Sequence, residues 1–315
     1  MRTKYYIMTS SDVNLFRQVK ILLYSIGENL KDADVDFYFF HRGINVESIR
    51  DFAAKIDNIS FYDVAVEKAE IYDQIASHGG SWAGEAYYSL CAYRYLPESV
   101  DRILYVDAGD VMIVNDIAPF YYDDFNDNLI ITSNIRSYSE DGKPVIFFNE
   151  SDLLVEDYRN KILDSTFNSG SYMININKFR DTQLDEKDYL DMANYFYRIQ
   201  GMPDRAYFGD QGFMSACFLG DIKYWHYPEE DVLLSTAYNF MMGWYNVFHV
   251  VPFRPAIVHF VGGPKPWSLE YPYELKMFQD KEKMCRYTDL TIGQGEWYFL
   301  WHQYAMCSEA LDKSR

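Results

Sequence analysis

The first third of the chain alternates between short apolar runs and segments with apolar residues at helical spacing. Residues 4–8, 35–40 and 59–64 are apolar runs of strand length. Between them, residues 15–29 and 44–56 carry apolar side chains every three or four positions, as amphipathic helices do. A strand–helix–strand–helix–strand order is typical of crossover connections. The pattern therefore predicts an α/β protein with a mostly parallel central sheet and flanking helices.

The remainder of the chain continues this pattern less regularly. Further strands are predicted at 102–106, 129–133, 172–176 and 256–258, and further helices at 83–97, 151–165, 184–200 and 295–311. In such sheets the ligand binds beyond the carboxyl ends of the strands, so the loops after residues 8, 106 and 176 are expected at the functional edge. We expect one domain over 1–267 and an aromatic, partly helical extension over 268–315.

The charge of the chain limits what it can bind. Lys plus Arg number 29 and Asp plus Glu number 47, which gives a formal net charge of −18. A field of that sign repels phosphate backbones and attracts divalent cations, so nucleic-acid binding is disfavoured. The four cysteines form no Cys-x-x-Cys pair, and the sequence contains neither a signal-peptide segment nor a long apolar run. These features predict a cytoplasmic protein whose cysteines are reduced.

Two carboxylates follow one of the predicted buried strands. Asp107 comes directly after the run 102–106, and Asp110 follows after Gly109. Carboxylate oxygens are the ligands that Mg²⁺ and similar hard cations prefer, and such ions keep positions for substrate phosphates. The glycine gives the backbone freedom between the two acids. A polar turn at the end of a strand is the alternative interpretation of this pair.

A histidine ends another predicted strand. His259 follows the run 256–258 and begins the sequence His-Phe-Val-Gly-Gly-Pro-Lys-Pro-Trp, which contains Gly262 and Lys265. A neutral imidazole binds transition cations. Glycine amides approach a phosphate closely, and a lysine adds a positive charge to it. A capping histidine beside a Gly-Pro turn is the alternative, but the glycines and the lysine favour a binding site.

Three other polar segments lie beside predicted strands or helices. Asn168 and Ser169 precede a strand and suit hydroxyl recognition, with an ordinary turn as the alternative. Asp210 and Gln211 precede an apolar helical stretch, where a helix N-cap is the alternative to a functional role. Thr9–Asn14 follows the first strand, where a doubly wound sheet binds a nucleotide. The chain contains neither a dinucleotide fingerprint nor a P-loop motif.

In their order and spacing, these five segments resemble family 8 of the retaining glycosyltransferases, which includes bacterial lipopolysaccharide α-galactosyl- and α-glucosyltransferases and glycogenin. The resemblance extends from about residue 4 to Trp267. It implies a GT-A fold, which is Rossmann-like, and a UDP-hexose donor held by Mn²⁺, with Mg²⁺ as the alternative ion. It also implies a glycan, glycolipid or glycoprotein acceptor.

The resemblance also implies roles for individual residues. The expected metal ligands are Asp107, Asp110 and His259, the expected catalytic residues are Asp210 and Gln211, and the expected substrate-binding residues are Thr9, Asp12, Asn14, Arg94, Asn168, Ser169, Gly262 and Lys265. Among these, Asp12 and Asn14 are expected at uracil, and Gly262 and Lys265 at the diphosphate. Arg94 resembles an arginine near the donor.

Two departures from the family pattern bear on the mechanism. The metal motif is Asp-Ala-Gly-Asp, one residue longer than Asp-x-Asp, so the extra residue either bulges out or moves one ligand away. Gly212 stands where many relatives carry an acid, which removes one candidate nucleophile and favours a front-face retaining mechanism. In that mechanism Gln211 presents its carbonyl to the anomeric carbon, and Asp210 holds sugar hydroxyls.

Three questions stay open at this point. A metal-dependent UDP-sugar hydrolase would use the same donor site, and a catalytically weak glycosyltransferase-fold subunit would keep only binding. The aromatic residues of 268–315 belong either to a helix packed on the domain or to a segment that contacts the acceptor or the inner face of the membrane. The choice between galactose and glucose rests on contacts to a single sugar hydroxyl, which no motif reports.

Overall fold

The computed structural model describes residues 2–78, 83–133, 167–200, 209–218, 220–225, 237–241, 254–261, 265–268 and 292–314. The strands of the central sheet are β1 (Thr3–Ser10), β2 (Ala33–His41), β3 (Ile59–Ala65), β4 (Arg102–Val106), β6 (Ile130–Ser133), β7 (Ser171–Asn175) and β8 (Ile222–Trp225). A smaller sheet contains β5 (Val111–Ile113), β9 (Phe240–Met241) and β10 (Ile257–His259). Within the described residues the strand orders are β3-β2-β1-β4-β7-β6-β8 and β5-β10-β9.

Helices cover both faces of the central sheet. The α-helices are α1 (Phe16–Asn29), α2 (Glu47–Ala53), α3 (Ala69–His78), α4 (Ala118–Tyr121), α5 (Ile176–Thr182), α6 (Glu186–Gln200), α7 (Gly209–Cys217) and α8 (Ile292–Lys313). The 3-10 helices are Val13–Leu15, Gly84–Arg94 and Pro266–Ser268. The predicted helix at 151–165 lies outside the described residues.

The helix predicted over 83–97 is present, but it is a 3-10 helix and ends three residues earlier. This segment is a 3-10 helix over Gly84–Arg94, with non-helical dihedrals at Cys91. Most of its residues are buried, including Tyr87 and Leu90, because it lies against α3 and the sheet. Burial on nearly all sides leaves no single apolar stripe, and the non-helical dihedrals at Cys91 divide the segment into two shorter helical pieces.

The sheet is mostly parallel, as predicted, and its one antiparallel strand among the described residues is β7. Strand β7 pairs antiparallel with β4, and this register places Ser171 opposite Val106 and Asn175 opposite Arg102. The loop after residue 176 therefore lies at the edge away from the site, which corrects the prediction. The residues before β7, including Asn168, lie at the functional edge instead.

The inner strands of the central sheet are buried on both faces, which explains why they are nearly continuous apolar runs. Alternate side chains of β1 point to opposite faces, so Ile7 joins the cluster beneath α1 and α2, and Met8 joins the cluster beneath α3. Neighbouring β2 repeats this alternation with Phe39 and Phe40. The two apolar clusters hold the parallel strands in one register and thereby fix where their polar ends meet.

The C-terminal helix α8 packs on the domain. Trp301 and Tyr298 lie in a third apolar cluster with Ile21 of α1 and Phe260, which follows β10. Arg17 and Glu309 form an ion pair of 2.9 Å along the same contact. Of the two alternatives for the C-terminal extension, the described part therefore matches a helix packed on the domain. The division into a domain and an extension at residue 267 stays a prediction. Of the helices in the described ranges, none combines the length and apolar character needed to span a bilayer.

Candidate active site

A cavity opens at the point where the strand order reverses. From β1 the chain winds outward to β2 and β3 and then returns to β4 on the other side of β1, so the loops after β1 and β4 diverge there. The cavity between them has a volume of about 440 Å³. It is lined by Ser10, Ser11, Asp12, Asn14, Leu15, Ala83, Glu85, Ala86, Tyr105, Asp107, Ala108, Gly109, Asp110, Asp210, Lys265 and Trp267.

Asp107, Asp110 and His259 converge at the base of this cavity. Asp107 directly follows β4, and His259 ends β10, whose antiparallel pairing with β5 sets it beside Asp110. Their ligand atoms lie within 4.8 Å of one another. The His259 Nε2 lies 3.4 Å from an Asp110 oxygen and 3.8 Å from an Asp107 oxygen. Two carboxylates and an imidazole fit a divalent cation that accepts both oxygen and nitrogen ligands.

The longer Asp-Ala-Gly-Asp motif keeps both carboxylates in place. Residues 108–110 form a turn between β4 and β5, and both acids still reach His259. Gly109 has no left-handed backbone, and a Cβ there would meet Leu15 at 3.5 Å and Trp267 at 3.8 Å, which are ordinary contacts. The turn geometry, rather than an unusual dihedral at the glycine, therefore accommodates the extra residue.

The two acids of this cluster have different electrostatic surroundings. Burial, together with the neighbouring charge of Asp110, raises the pKa of Asp107 to about 7, although Tyr105 donates a hydrogen bond of 2.9 Å to it. Burial would also raise the pKa of Asp110, but His259 and the Lys265 ammonium hold it below its ordinary value. Lys265 donates to both Asp110 and the Phe260 carbonyl. The cluster carries excess negative charge, which is the condition that a bound cation relieves.

A relay of buried side-chain amides extends from His259 into the site. The His259 Nδ1 lies 3.1 Å from the Asn239 Oδ1, and the Asn239 Nδ2 donates to the Asn168 Oδ1 at 2.9 Å. The Asn168 Nδ2 in turn donates to the Gln211 Oε1 at 2.9 Å. The relay therefore joins the end of β10 to the N-terminal turn of α7 through two buried asparagines.

Gly170 makes room for this arrangement. A Cβ at this position would lie 2.1 Å from the His259 Cε1 and 2.3 Å from its Nδ1. The Gly170 N–H also donates to the Asn168 Oδ1 at 3.0 Å, and its carbonyl accepts from the Asp107 N–H at 3.0 Å. The glycine is required here by close approach rather than by backbone conformation.

Asp210 and Gln211 lie in the first turn of α7, and both are buried. Burial raises the pKa of Asp210, while the Ser169 hydroxyl opposes this by donating to its carboxylate. Gln211 does not present a free carbonyl, because its Oε1 already accepts from Asn168. Its Nε2 has no hydrogen-bond partner among the described residues. One oxygen lone pair and the amide N–H groups of Gln211 thus remain available at the site.

At the mouth of the cavity the polar groups are paired locally. Asp12 accepts from the Asn14 N–H at 2.9 Å and from its Nδ2 at 2.7 Å, which caps the short helix Val13–Leu15. Glu85 is buried and pairs with Arg42 through bonds of 2.5 and 3.0 Å. At this end of the cavity the Asp12 carboxylate is therefore held by neutral amides, and the Glu85 carboxylate by a guanidinium.

Two of the predicted substrate-binding residues, Thr9 and Arg94, do not line the cavity. Thr9 is fully buried, and its hydroxyl donates to the Val106 carbonyl at 2.7 Å, so it joins β1 to β4 and does not line the cavity. Arg94 does not line it either, because its guanidinium pairs with the buried Glu186 at 2.5 Å. Gly262 lies outside the described residues.

Asn239, Glu85 and Gly170 are site residues that sequence reasoning did not single out for a role. Asn239 follows an irregular stretch and carries no motif, so nothing in the sequence marks it. Glu85 lies in the helical segment Gly84–Arg94, where no motif marks it in the sequence. Gly170 directly follows the predicted pair Asn168 and Ser169, but only the folded position of His259 reveals its importance.

Comparisons with known proteins identify a matching family and solved structures with a similar architecture. Residues 6–270 match the profile described as glycosyl transferase family 8. The galactosyltransferase LgtC, solved with donor and acceptor sugar analogs, aligns with a TM-score of 0.63 and 20% identity over 96% of this chain and 95% of LgtC. No curated protein sequence matches the chain.

Two further solved structures share the fold. The glycosyltransferase GlyE of Streptococcus pneumoniae TIGR4 aligns with a TM-score of 0.60 and 15% identity over 99% of this chain and 63% of GlyE. Mouse xyloside xylosyltransferase 1 aligns with a TM-score of 0.56 and 12% identity over 83% of this chain and 100% of the mouse protein. At these identities the structural alignments establish the fold alone.

Proposed function

The chain belongs to glycosyl transferase family 8 and is a glycosyltransferase of the GT-A fold, and from this premise we propose the reaction it catalyses. It transfers a hexose, galactose or glucose, from a UDP-sugar to a hydroxyl of a glycan, lipid-linked or protein-linked acceptor, with retention and with dependence on Mn²⁺. The observation that carries this proposal is the convergence of Asp107, Asp110 and His259 at the base of the cavity. The LgtC structure with sugar analogs supports it, because that protein is a galactosyltransferase.

The donor is proposed to lie along the cavity with its base at the mouth. Asp12 and Asn14 contact uracil there, and Lys265 contacts the diphosphate. Asp107, Asp110 and His259 hold Mn²⁺, with Mg²⁺ as the alternative ion. When bound, the ion supplies positive charge against the departing nucleoside diphosphate. Lys265 supports this proposal because its ammonium already lies against Asp110 at the same end of the cavity.

The sugar is proposed to react from one face. The bond between the anomeric carbon and the UDP oxygen breaks, and the acceptor hydroxyl oxygen forms its bond to that carbon on the same side. The acceptor proton passes to the departing phosphate oxygen. Gln211 faces the positive charge at the anomeric carbon with its remaining oxygen lone pair, and Asp210 with Asn168 holds sugar hydroxyls. Gly212 offers no carboxylate as a nucleophile, which favours this route over double displacement.

A screen of UDP-sugars with Mn²⁺ tests the proposal. UDP release is measured for each donor, with and without crude glycan acceptors. We expect one UDP-hexose to give UDP release that depends on both the acceptor and the metal. Equal release without acceptor would identify a hydrolase instead. Failure to bind Mn²⁺ and UDP in calorimetry would identify a binding subunit and contradict the proposal.

A further inference from the structure

Asn239 occupies the junction between the candidate metal cluster and the reaction centre. It is completely buried and precedes β9, which pairs with the strand that carries His259. Its side chain contacts His259 on one side and Asn168 on the other. Among the described residues, no other side chain is hydrogen-bonded to both His259 and Asn168. Buried polar groups need hydrogen-bond partners, so the Asn239 amide has to present its oxygen and its nitrogen to the matching groups of His259 and Asn168.

The orientation of the Asn239 amide follows from backbone atoms whose identity is certain. The Gly170 N–H can only donate, so the Asn168 atom that it contacts at 3.0 Å is the oxygen. The Asn168 backbone carbonyl can only accept, and it faces the same Asn239 atom at 3.2 Å. That Asn239 atom is therefore the nitrogen, since it must donate to two oxygens. The Asn239 oxygen then faces His259.

This orientation fixes the chemistry of the imidazole. An amide oxygen accepts only, so the His259 Nδ1 that lies 3.1 Å from it must carry a proton. In the neutral ring, the lone pair is then on Nε2, which is the atom directed at Asp107 and Asp110. A metal-binding histidine commonly has its other ring nitrogen held by such a partner, which sets both the tautomer and the ring orientation.

At its other end, the relay joins the Asn168 amide to Gln211. Because the Asn168 oxygen accepts from both Gly170 and Asn239, its nitrogen must face Gln211. Gln211 therefore turns its oxygen toward Asn168 and its unpaired Nε2 elsewhere. Asn239 thus contacts His259 directly, and it shares with the Gly170 N–H the task of holding the Asn168 amide.

We propose that Asn239 is a positioning residue that holds His259 in the Nδ1-protonated tautomer for metal binding and, together with the Gly170 N–H, supports the Asn168 amide that faces Gln211. The metal-binding part of this inference rests on the proposed function, whereas the tautomer does not. Asn239 touches neither of the two acidic ligands, and its effect on the reaction passes through His259 and Asn168.

The first measurement uses the metal-free wild-type protein. Nitrogen-15 NMR of the histidine rings at a pH where His259 is neutral, with His259→Gln to assign its signals, reports which ring nitrogen carries the proton. We expect a protonated Nδ1 in wild type and a mixture of tautomers in Asn239→Leu. A protonated Nε2 in the wild-type protein would overturn the proposal without any variant having to fold.

The second measurement is Mn²⁺ affinity, followed by the EPR signal of the free ion. We expect Asn239→Leu to weaken Mn²⁺ binding about 10- to 100-fold, and Asn239→Asp to recover only part of this loss, because one carboxylate oxygen still accepts from Nδ1 while the other cannot donate to Asn168. The matched control is Asn58→Leu, since Asn58 is a buried asparagine before β3, at the opposite edge of the sheet, and should leave the affinity unchanged.

The outcomes separate the two proposals. If wild type binds Mn²⁺ and Asn239→Leu binds it equally well, the inference about Asn239 fails while the proposed function stands. If wild type does not bind Mn²⁺, the proposed function fails, and the NMR measurement still decides whether Asn239 sets the tautomer. Equal weakening by Asn58→Leu would show a general loss of stability and contradict a positioning role.

Discussion

The two ends of the cavity are built in different ways. At the mouth, Asp12 and Asn14 satisfy each other within one short helical turn, and the backbone that carries them follows β1 directly. At the base, the groups come from five separate segments of the chain, and each is held by a side chain or backbone atom of another segment. The base also carries two close carboxylates.

This difference indicates that the mouth of the cavity serves donor binding and the base serves the chemical step. A locally paired, half-exposed mouth can change its partners at little cost, which suits recognition of the part of the donor that does not react. A buried base with excess negative charge and one unpaired amide is costly to maintain in the absence of a ligand. We therefore expect changes at the base to affect the chemical step and changes at the mouth to affect donor affinity.

The largest effect is expected for Asp110→Ala. The loss of one carboxylate from the three-residue cluster removes charge stabilisation from the leaving group, and kcat should fall by about 10²- to 10³-fold or more with Mn²⁺ present. Steady-state kinetics with the best UDP-sugar measures this. Asp34→Ala is the control. That exposed acid lies at the N-terminal end of β2, away from the carboxyl ends of the strands, and its loss should leave kcat unchanged. Near-normal turnover by Asp110→Ala would refute the proposed metal site.

A smaller effect is expected for Gly170→Ala, which tests how tightly the base is packed. The added methyl would meet the His259 ring, so the imidazole must move. We expect a loss of about 1–3 kcal/mol in the free energy of unfolding and about 10- to 100-fold weaker Mn²⁺ binding. Urea denaturation and EPR titration measure the two quantities.

The matched change for this test is Gly109→Ala. A methyl group at Gly109 makes only ordinary contacts, so the free energy of unfolding should stay within about 0.5 kcal/mol of wild type. If Gly170→Ala changed the free energy of unfolding and the Mn²⁺ affinity as little as Gly109→Ala does, the close approach of Gly170 to His259 would not matter for stability or metal binding.

The smallest effect is expected at the mouth, for Asn14→Ala. The exposed amide contributes binding that is the same in the ground state and the transition state, so KM for the donor should rise about tenfold with little change in kcat. Initial rates over a range of donor concentrations separate the two constants. A fall in kcat comparable with that of Asp110→Ala would remove the distinction between the two ends.

The fold was predictable where the signal is local. The strands β1 to β4 are apolar runs bounded by turns, and the parallel arrangement of β1 to β3 follows from the helices between them. The direction of β7 was not predictable, because an apolar run is the same in both directions. The strands β5 and β9 span three and two residues, which is too short to produce a periodic pattern.

The site was predictable only in part, for a related reason. Acidic and histidine residues at strand ends are visible in a sequence, and the structure brings Asp107, Asp110 and His259 together. An asparagine has no such signature, so Asn239 emerges only from the hydrogen bonds it makes across the fold. Thr9 shows the opposite case, since a polar residue after a strand core was assigned to the ligand and serves the sheet instead.

The central claim is that Asp107, Asp110 and His259 hold one metal ion that faces the diphosphate of the donor. Pulsed EPR of the Mn²⁺-loaded protein tests it most directly, with UDP added and with His259→Gln as the comparison. The account predicts a nitrogen coupling from one imidazole that disappears in His259→Gln, and a phosphorus coupling that appears with UDP. Bound Mn²⁺ with neither coupling in the wild-type protein would contradict it.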